Sequence, residues 1–244
     1  YNENGLNFFG KIENYSPNFT HTFNTIPVHG KNATQIELNP INGGLTFNRP
    51  ILNGGNVPYR VYGQNGKKLT INTTGYPAGN GSVSFNIEQY SIVEMNYNNP
   101  ASLSGGYFVK EGELWINSQA VLQSGIQVGN GNANFAKLYI SHASTATMVA
   151  NAITVPTNSP NVTIGALNTS NLHTYSGTIN LNNNDVNFDV VSAGGSVAFT
   201  NTISGTGGIQ KINAGLARLS ASNTYTGNTI VNAGTLQYGV ANAI

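Results

Sequence analysis

The sequence predicts an all-β fold, a single-stranded parallel β-helix, with an antiparallel β-sandwich as the alternative. Three observations predict it. Charged residues make up only 8% of the 244-residue chain, against about 25% in an ordinary soluble domain. Short runs of alternating apolar and polar residues recur along almost the whole length. Separate stretches of the chain repeat one another's pattern.

With so few charges, the polar surface must be built from Asn, Thr, Ser and Gln. The chain has 29 Gly, and Asn is more frequent still. Both residues tolerate φ > 0 and suit tight turns. Twelve Tyr and ten Phe, with many Ile and Val, argue against disorder, because disordered chains are poor in such residues. The absence of cysteine excludes disulfides, thiolate metal sites and cysteine nucleophiles. A net charge of +1 offers no attraction for nucleic acid or an anionic membrane. No apolar run approaches about 20 residues, so no transmembrane helix is expected.

The alternation places one face of each run inside. Examples are Ile36/Leu38, Leu45/Phe47, Tyr59/Val61, Leu69/Ile71, Val83/Phe85/Ile87, Leu114/Ile116, Leu138/Ile140 and Val186/Phe188/Val190. Gly, Asn or Pro separates nearly all of these runs. Only residues 143–153 invite a helical reading, and a strand with a loop is expected there instead.

Repetition favours the solenoid over the sandwich. Residues 43–71 and 194–221 share a glycine pair, an alternating strand, a Gly-rich turn, a second strand, a second turn and a final strand. Residues 107–116 repeat the second half of that unit, 124–140 form a looser copy, and 173–188 echo 223–238. A single turn cannot bury its apolar face alone, whereas stacked turns bury it together. The whole of 1–244 is therefore expected to be one repeat domain of about ten turns, capped or irregular over 1–30. The pattern runs to the last residue without a polar terminal segment, so a longer parent protein is expected to supply the neighbouring turns. Asn180, Asn182, Asn183, Asn184 and Asn187 are candidates for a stacked amide ladder, or else simply form a polar loop.

Residues 205–239, GTGGIQKINAGLARLSASNTYTGNTIVNAGTLQYG, carry a longer signature. Its key positions are Gly205, Gly207, Gly208, Lys211, Asn223, Thr224, Tyr225, Gly227, Gly234, Thr235 and Leu236. The stretch closely resembles the autotransporter-associated β-strand repeat of bacterial passenger domains. The resemblance implies a right-handed parallel β-helix on or outside the bacterial surface, with an adhesive, display or scaffolding role. It departs from the family pattern at Leu216 and Leu219, which leave the local register open. It names no ligand. Glycans, a host surface or like subunits are the partners to expect, and an extracellular filament subunit is a further reading.

Catalysis is not expected, although parallel β-helices include polysaccharide-acting enzymes. Asp185 and Asp189, four residues apart on one strand, would lie roughly 13 Å apart, wider than the usual pair of glycosidase carboxylates. Both are expected to face solvent. Glu111 and Glu113 flank Gly112 and read as a solvated turn beside Lys110. Glu88 and Glu94 could share a groove. His21, His29, His142 and His173 show no metal-ligand spacing, so no metal and no cofactor are expected. Aromatic residues are the better candidates for contact, because exposed Tyr and Trp stack on sugars and anchor protein contacts. Tyr59, Tyr62, Tyr76, Tyr90, Tyr97, Tyr107 and Trp115 cluster in the first half. If Leu114 and Ile116 face inward, Trp115 faces outward, which makes Trp115 the leading contact candidate, followed by Tyr107, Tyr97 and Tyr90.

Overall fold

The computed structural model describes residues 6–8, 10–24, 28–30, 35–48, 51–53, 57–64, 66–72, 84–96, 105–117, 124–142, 146–241 and 243–244, with backbone alone for 6–8, 28–30 and 51–53. Among the described residues every strand pairing is parallel, between one turn and the next, in a right-handed β-solenoid. The chain winds through three walls. The first wall stacks nine strands: Lys11–Glu13, Ile36–Asn39, Tyr59–Tyr62, Phe85–Glu88, Tyr107–Val109, Ile126–Val128, Ile153–Thr154, Ile179–Asn180 and Ile203–Ser204. The second stacks ten: His21–Phe23, Leu45–Phe47, Lys68–Ile71, Ser91–Met95, Gly112–Ile116, Ala136–Ile140, Val162–Ala166, Val186–Val190, Ile209–Ile212 and Thr229–Val231. The third place in the turn is filled early by Leu6–Phe8, Val28–Gly30 and Ile51–Asn53. Later it is filled by Met148–Val149, Leu172–Tyr175, Ser196–Phe199, Leu216–Leu219 and Thr235–Tyr238. At ~4.8 Å per strand, the second wall is about 43 Å long.

The sandwich alternative fails because a sandwich is built of antiparallel neighbours. Residues 146–154 carry two short strands, and no described part of 143–153 is helical. The strands Lys11–Glu13 and His21–Phe23 already pair in register with the next turn. The described part of 1–30 therefore takes regular places in the walls. Val83, Tyr76 and Tyr97 lie outside the described residues.

Alternation becomes stacked columns. Inside the first wall, one column runs Ile36, Tyr59, Phe85, Tyr107, Ile126, Ile153, Ile179, Ile203. Inside the second, Leu45, Leu69, Val93, Leu114, Leu138, Ile164 and Phe188 follow one another. Like therefore meets like from turn to turn. Aromatic rings stack within and between walls: Phe23 on Phe47 (4.6 Å), Tyr175 on Phe199 (5.4 Å) and Phe188 on Phe199 (4.1 Å). Such pairs add about 0.5–1.5 kcal/mol each beyond the area they bury.

The turns vary in length while this register holds. Leu45 and Leu69 stand opposite each other, as do Leu138 and Ile164, so the corners absorb the difference. Corner residues with left-handed backbone include Asn158, Asn171, Asn182 and Asn213, a conformation Asn tolerates. Close approach between turns explains Gly165, where a Cβ would lie 1.8 Å from Asp189 O.

Asparagine amides do stack, at a different place from the one expected. Asn48 Nδ2 donates to Asn24 Oδ1 (2.5 Å), Asn72 to Asn48 (2.7 Å) and Asn96 to Asn72 (2.7 Å), each 24 residues on. The ladder stops because Asn117, next in line, donates to Glu94 Oε1 (3.4 Å). Asn96 Oδ1 is left buried without a partner. Around 180–187, by contrast, the amides mostly brace backbone. Asn182 donates to Val155 O (2.6 Å), and Asn184 donates to Pro156 O (2.8 Å) and Leu181 O (2.9 Å). Only Asn183 and Asn158 pair side chain to side chain (3.3 Å).

Phe188 is fully buried and stacked. Phe188→Ala should therefore cost about 3–5 kcal/mol, read as a lower urea midpoint of the unfolding transition. A loss below about 1 kcal/mol would contradict the packing described.

Candidate functional site

The same alternation that fills the core sets the outer surface in columns. On the second wall Thr70, Glu94, Trp115 and Tyr139 stand in register, beside a column of Lys68, Ile92, Glu113 and Lys137. Leu114 and Ile116 are fully buried, so Trp115 points outward, half-buried. Its Nε1 donates to Glu113 Oε2 (2.7 Å), which fixes the indole in plane. Glu113 also meets Lys137 Nζ (3.1 Å). Lys68 Nζ lies 5.6 Å from the Trp115 ring centroid and 2.6 Å from Glu94 Oε2. Lys137 Nζ stands 5.2 Å over Phe135, whose ring touches Tyr90 (4.9 Å). The result is a continuous band of alternating aromatic and paired charged groups.

Energy alone does not justify this band. Partly exposed ion pairs contribute about 0–1 kcal/mol each, and a cation over an exposed ring about 0.5–1 kcal/mol. What the arrangement supplies is order. Long side chains are held against a rigid wall, so less entropy is lost when they meet a partner.

The expected contact residues separate. Trp115 is outward, as its neighbours require. Tyr90 is 47% exposed, at a corner where it and Gln89 both take positive φ. Tyr107 is fully buried, because it sits in the inner column between Phe85 and Ile126. It offers no surface. Tyr97 lies outside the described residues. Lys68, Phe135 and Lys137 complete the band without having been singled out as contact residues in the sequence, together with Glu113, expected in a solvated turn. Lone charges at the outward places of otherwise apolar strands were the available signal.

The acidic residues also fall differently from expectation. Glu113 lies in the strand Gly112–Ile116, not in a solvated turn. Lys110 pairs with Glu88 (3.1 Å), which also meets Arg60 (3.2 Å) on the first wall. Glu94 belongs to the second wall, so Glu88 and Glu94 share no groove. Glu111 accepts from Asn134 Nδ2 (2.9 Å). Asp185 is exposed, but Asp189 is buried. Tyr139 passes the side-chain-free place of Gly165 in its own column and donates to Asp189 Oδ2 (2.8 Å). Asn213 Nδ2 donates to Asp189 Oδ1 (2.9 Å). Burial, with the Asp189 charge, raises the Tyr139 phenol far above its ordinary value.

The repeat signature at 205–236 spans two successive turns, since Ile209–Ile212 pairs with Thr229–Val231 and Leu216–Leu219 with Thr235–Tyr238. Lys211 takes an inward place and is fully buried. Its ammonium donates to Ile212 O (2.6 Å), Asn213 O (2.7 Å) and Ala233 O (3.4 Å), tying two turns. Burial lowers its pKa, partly offset by Asp189. Asn223 Oδ1 accepts from Ile203 N (2.8 Å), and Thr224 N donates to Ile203 O (2.8 Å). Tyr225 packs against the core and shares a hydrogen bond with Thr229 Oγ1 (2.6 Å). Gly207, Gly208 and Gly227 stand where a Cβ would strike the adjoining turn's backbone, while Gly205 and Gly234 also have positive φ. Thr235 N donates to Gly215 O (3.2 Å), and Leu236 packs on the core. The signature thus encodes close stacking, and the register at Leu216 and Leu219 is settled by their pairing with Ser196 and Phe199.

Among the described residues no group of three His, Asp or Glu side chains is placed to hold a metal ion. His173 is fully buried. Its Nδ1 accepts from Thr147 N (3.0 Å) and its Nε2 bonds His142 O (2.8 Å), which requires the neutral Nε2–H tautomer.

The family model of the passenger-associated-transport-repeat matches residues 209–237. No curated protein and no solved structure matches the chain.

Burial lowers the His173 pKa below the ordinary 6.5. Above pH 6.5 the imidazole is neutral in both folded and unfolded chains. Below it the unfolded chain takes a proton that the folded chain refuses, so stability falls as pH falls. The urea midpoint should drop between pH 7.5 and 5.5, and His173→Gln should flatten that slope. An unchanged wild-type midpoint over this window would contradict the buried neutral imidazole.

Proposed function

We propose that this β-solenoid, which bears a passenger-associated-transport-repeat, is a structural and adhesive module of a secreted bacterial passenger domain, held outside the cell. The fold and the repeat together support the structural part of that reading, since they are typical of such passengers. The band around Trp115 carries the adhesive part. It sets an outward indole between two lysines and two glutamates on a wall that cannot rearrange without breaking register.

A non-catalytic role is part of the proposal. Its support is that Glu88, Glu94 and Glu113 are engaged with lysine or arginine, Glu111 with Asn134, and Asp189 with Tyr139 and Asn213. Asp185 keeps one oxygen free but has no second carboxylate in the lining of its cleft to work with. A general acid or base must keep a free, positioned carboxyl.

The test is surface display of the chain on a non-adherent bacterium, with attachment to epithelial monolayers counted. Displaying cells should attach several-fold more than bare cells. Trp115→Ala and the Lys68→Ala/Lys137→Ala pair should each remove most of that gain at equal display. Equal attachment with and without the chain would refute the adhesive reading, and full attachment by Trp115→Ala would refute the band as its seat.

A further inference from the structure

A second surface feature lies at the corner between the first and second walls. An open cleft of about 800 Å³ runs there, lined by Asn132, Asn158, Asn161, Asp185, Asn187 and Gln210 among others. Its lining comes from four successive turns, so at ~4.8 Å per turn it extends about 14 Å along the axis. No lysine, arginine or glutamate lines it, and Asp185 is its one charge.

The lining divides into fixed and free groups. Asn183 and Asn184 are committed to bonds that hold the corners: Asn183 with Asn158, and Asn184 with Pro156 O, Leu181 O and Ser159 N. Asn161 Nδ2 is fixed on Ala133 O, leaving its Oδ1 uncommitted. Asp185 Oδ1 accepts from Gly208 N (2.7 Å), leaving Oδ2 free. Gln210 Oε1 accepts from Asn232 (3.4 Å), leaving Nε2 free. Asn187, in register with Gln210, makes no side-chain hydrogen bond among the described residues. The cleft therefore offers donors and acceptors interspersed, on rigid backbone, with almost no charge.

An aromatic platform stands in line with it. Strand register places Tyr90, Glu111, Phe135, Asn161 and Asp185 in one corner column, each just before a second-wall strand. Tyr90 and Phe135 touch (4.9 Å) across the intervening turn, whose Glu111 accepts a hydrogen bond from the Tyr90 hydroxyl. An exposed ring face followed along the same line by amides suits a ligand with apolar ring faces and many hydroxyls. Each hydroxyl both donates and accepts, as the mixed lining asks. Anions are disfavoured by the free Asp185 oxygen, and an apolar ligand would strand the amides.

We infer that this corner cleft binds an uncharged oligosaccharide lying along the solenoid axis, with one sugar ring on the Tyr90–Phe135 pair. The amide cleft itself is separate from Trp115 and shares only the Tyr90–Phe135 pair with the band, so Asn187 and Gln210 test it apart from the second-wall reading.

Isothermal titration with maltotetraose, cellotetraose, mannotetraose and chitotetraose tests it, with tetragalacturonate as the acidic counterpart. At least one neutral tetrasaccharide should bind saturably, and tetragalacturonate should not. Asn187→Ala and Gln210→Ala, each verified as folded by circular dichroism, should weaken that binding at least about tenfold. Tyr90→Ala should do so several-fold, and Trp115→Ala should leave it unchanged. Asp185→Asn, which keeps the oxygen facing Gly208, should admit tetragalacturonate. Failure of all four neutral probes would overturn the inference. So would wild-type affinity in both amide variants, loss of binding in Trp115→Ala, or exclusion of tetragalacturonate by Asp185→Asn.

Discussion

Each turn of this solenoid is held by the turns above and below it through parallel strands in fixed register. No turn buries its apolar residues unless its neighbours are in place. That single constraint governs the rest. It demands like residues at like places, which gives the isoleucine and aromatic columns of the first wall. It demands bare backbone where turns approach closely, which gives Gly165 and the glycines of the repeat signature. It also demands that corner polar groups find partners in the next turn. Asn182, Asn184 and the buried ammonium of Lys211 meet that need.

The outer surface inherits its order from the inner one. Because side chains alternate across a strand, fixing the inward columns fixes the outward ones. Trp115 stands over Lys68, Glu94, Glu113 and Lys137 because Leu114 and Ile116 are inside. The chain thereby displays a sparse set of charged and aromatic groups at regular intervals without disulfides. A stack of turns needs that rigidity, and any contact face on it gains from it through reduced ordering cost.

The strand pattern was legible because its period is two and its core is strictly one-sided. Leu69/Ile71 and Val186/Phe188/Val190 face inward as alternation requires. The outward direction of Trp115 was legible for the same reason. Tyr107 was misjudged because tyrosine suits either face, and only the register with Phe85 and Ile126 places it inside. Asp189 was misjudged because its cover comes from Tyr139, 50 residues earlier. Sequence offers no direct sign of such a reach across a glycine gap. The asparagine ladder was displaced for a related reason. A dense run such as 180–187 supplies corner braces to the adjoining turn's backbone, whereas a ladder needs one Asn per turn at constant spacing.

Register over many turns is the central claim, and one distance tests it most directly. Thr46 and Ile212 occupy the same outward column of the second wall, seven turns apart. The chain has no cysteine, so nitroxide labels can be attached at Thr46→Cys and Ile212→Cys alone. Double electron–electron resonance should give one narrow distance near ~34 Å, seven spacings of ~4.8 Å. A broad distribution, or a narrow one displaced by more than about 10 Å, would contradict a continuous in-register solenoid at that spacing.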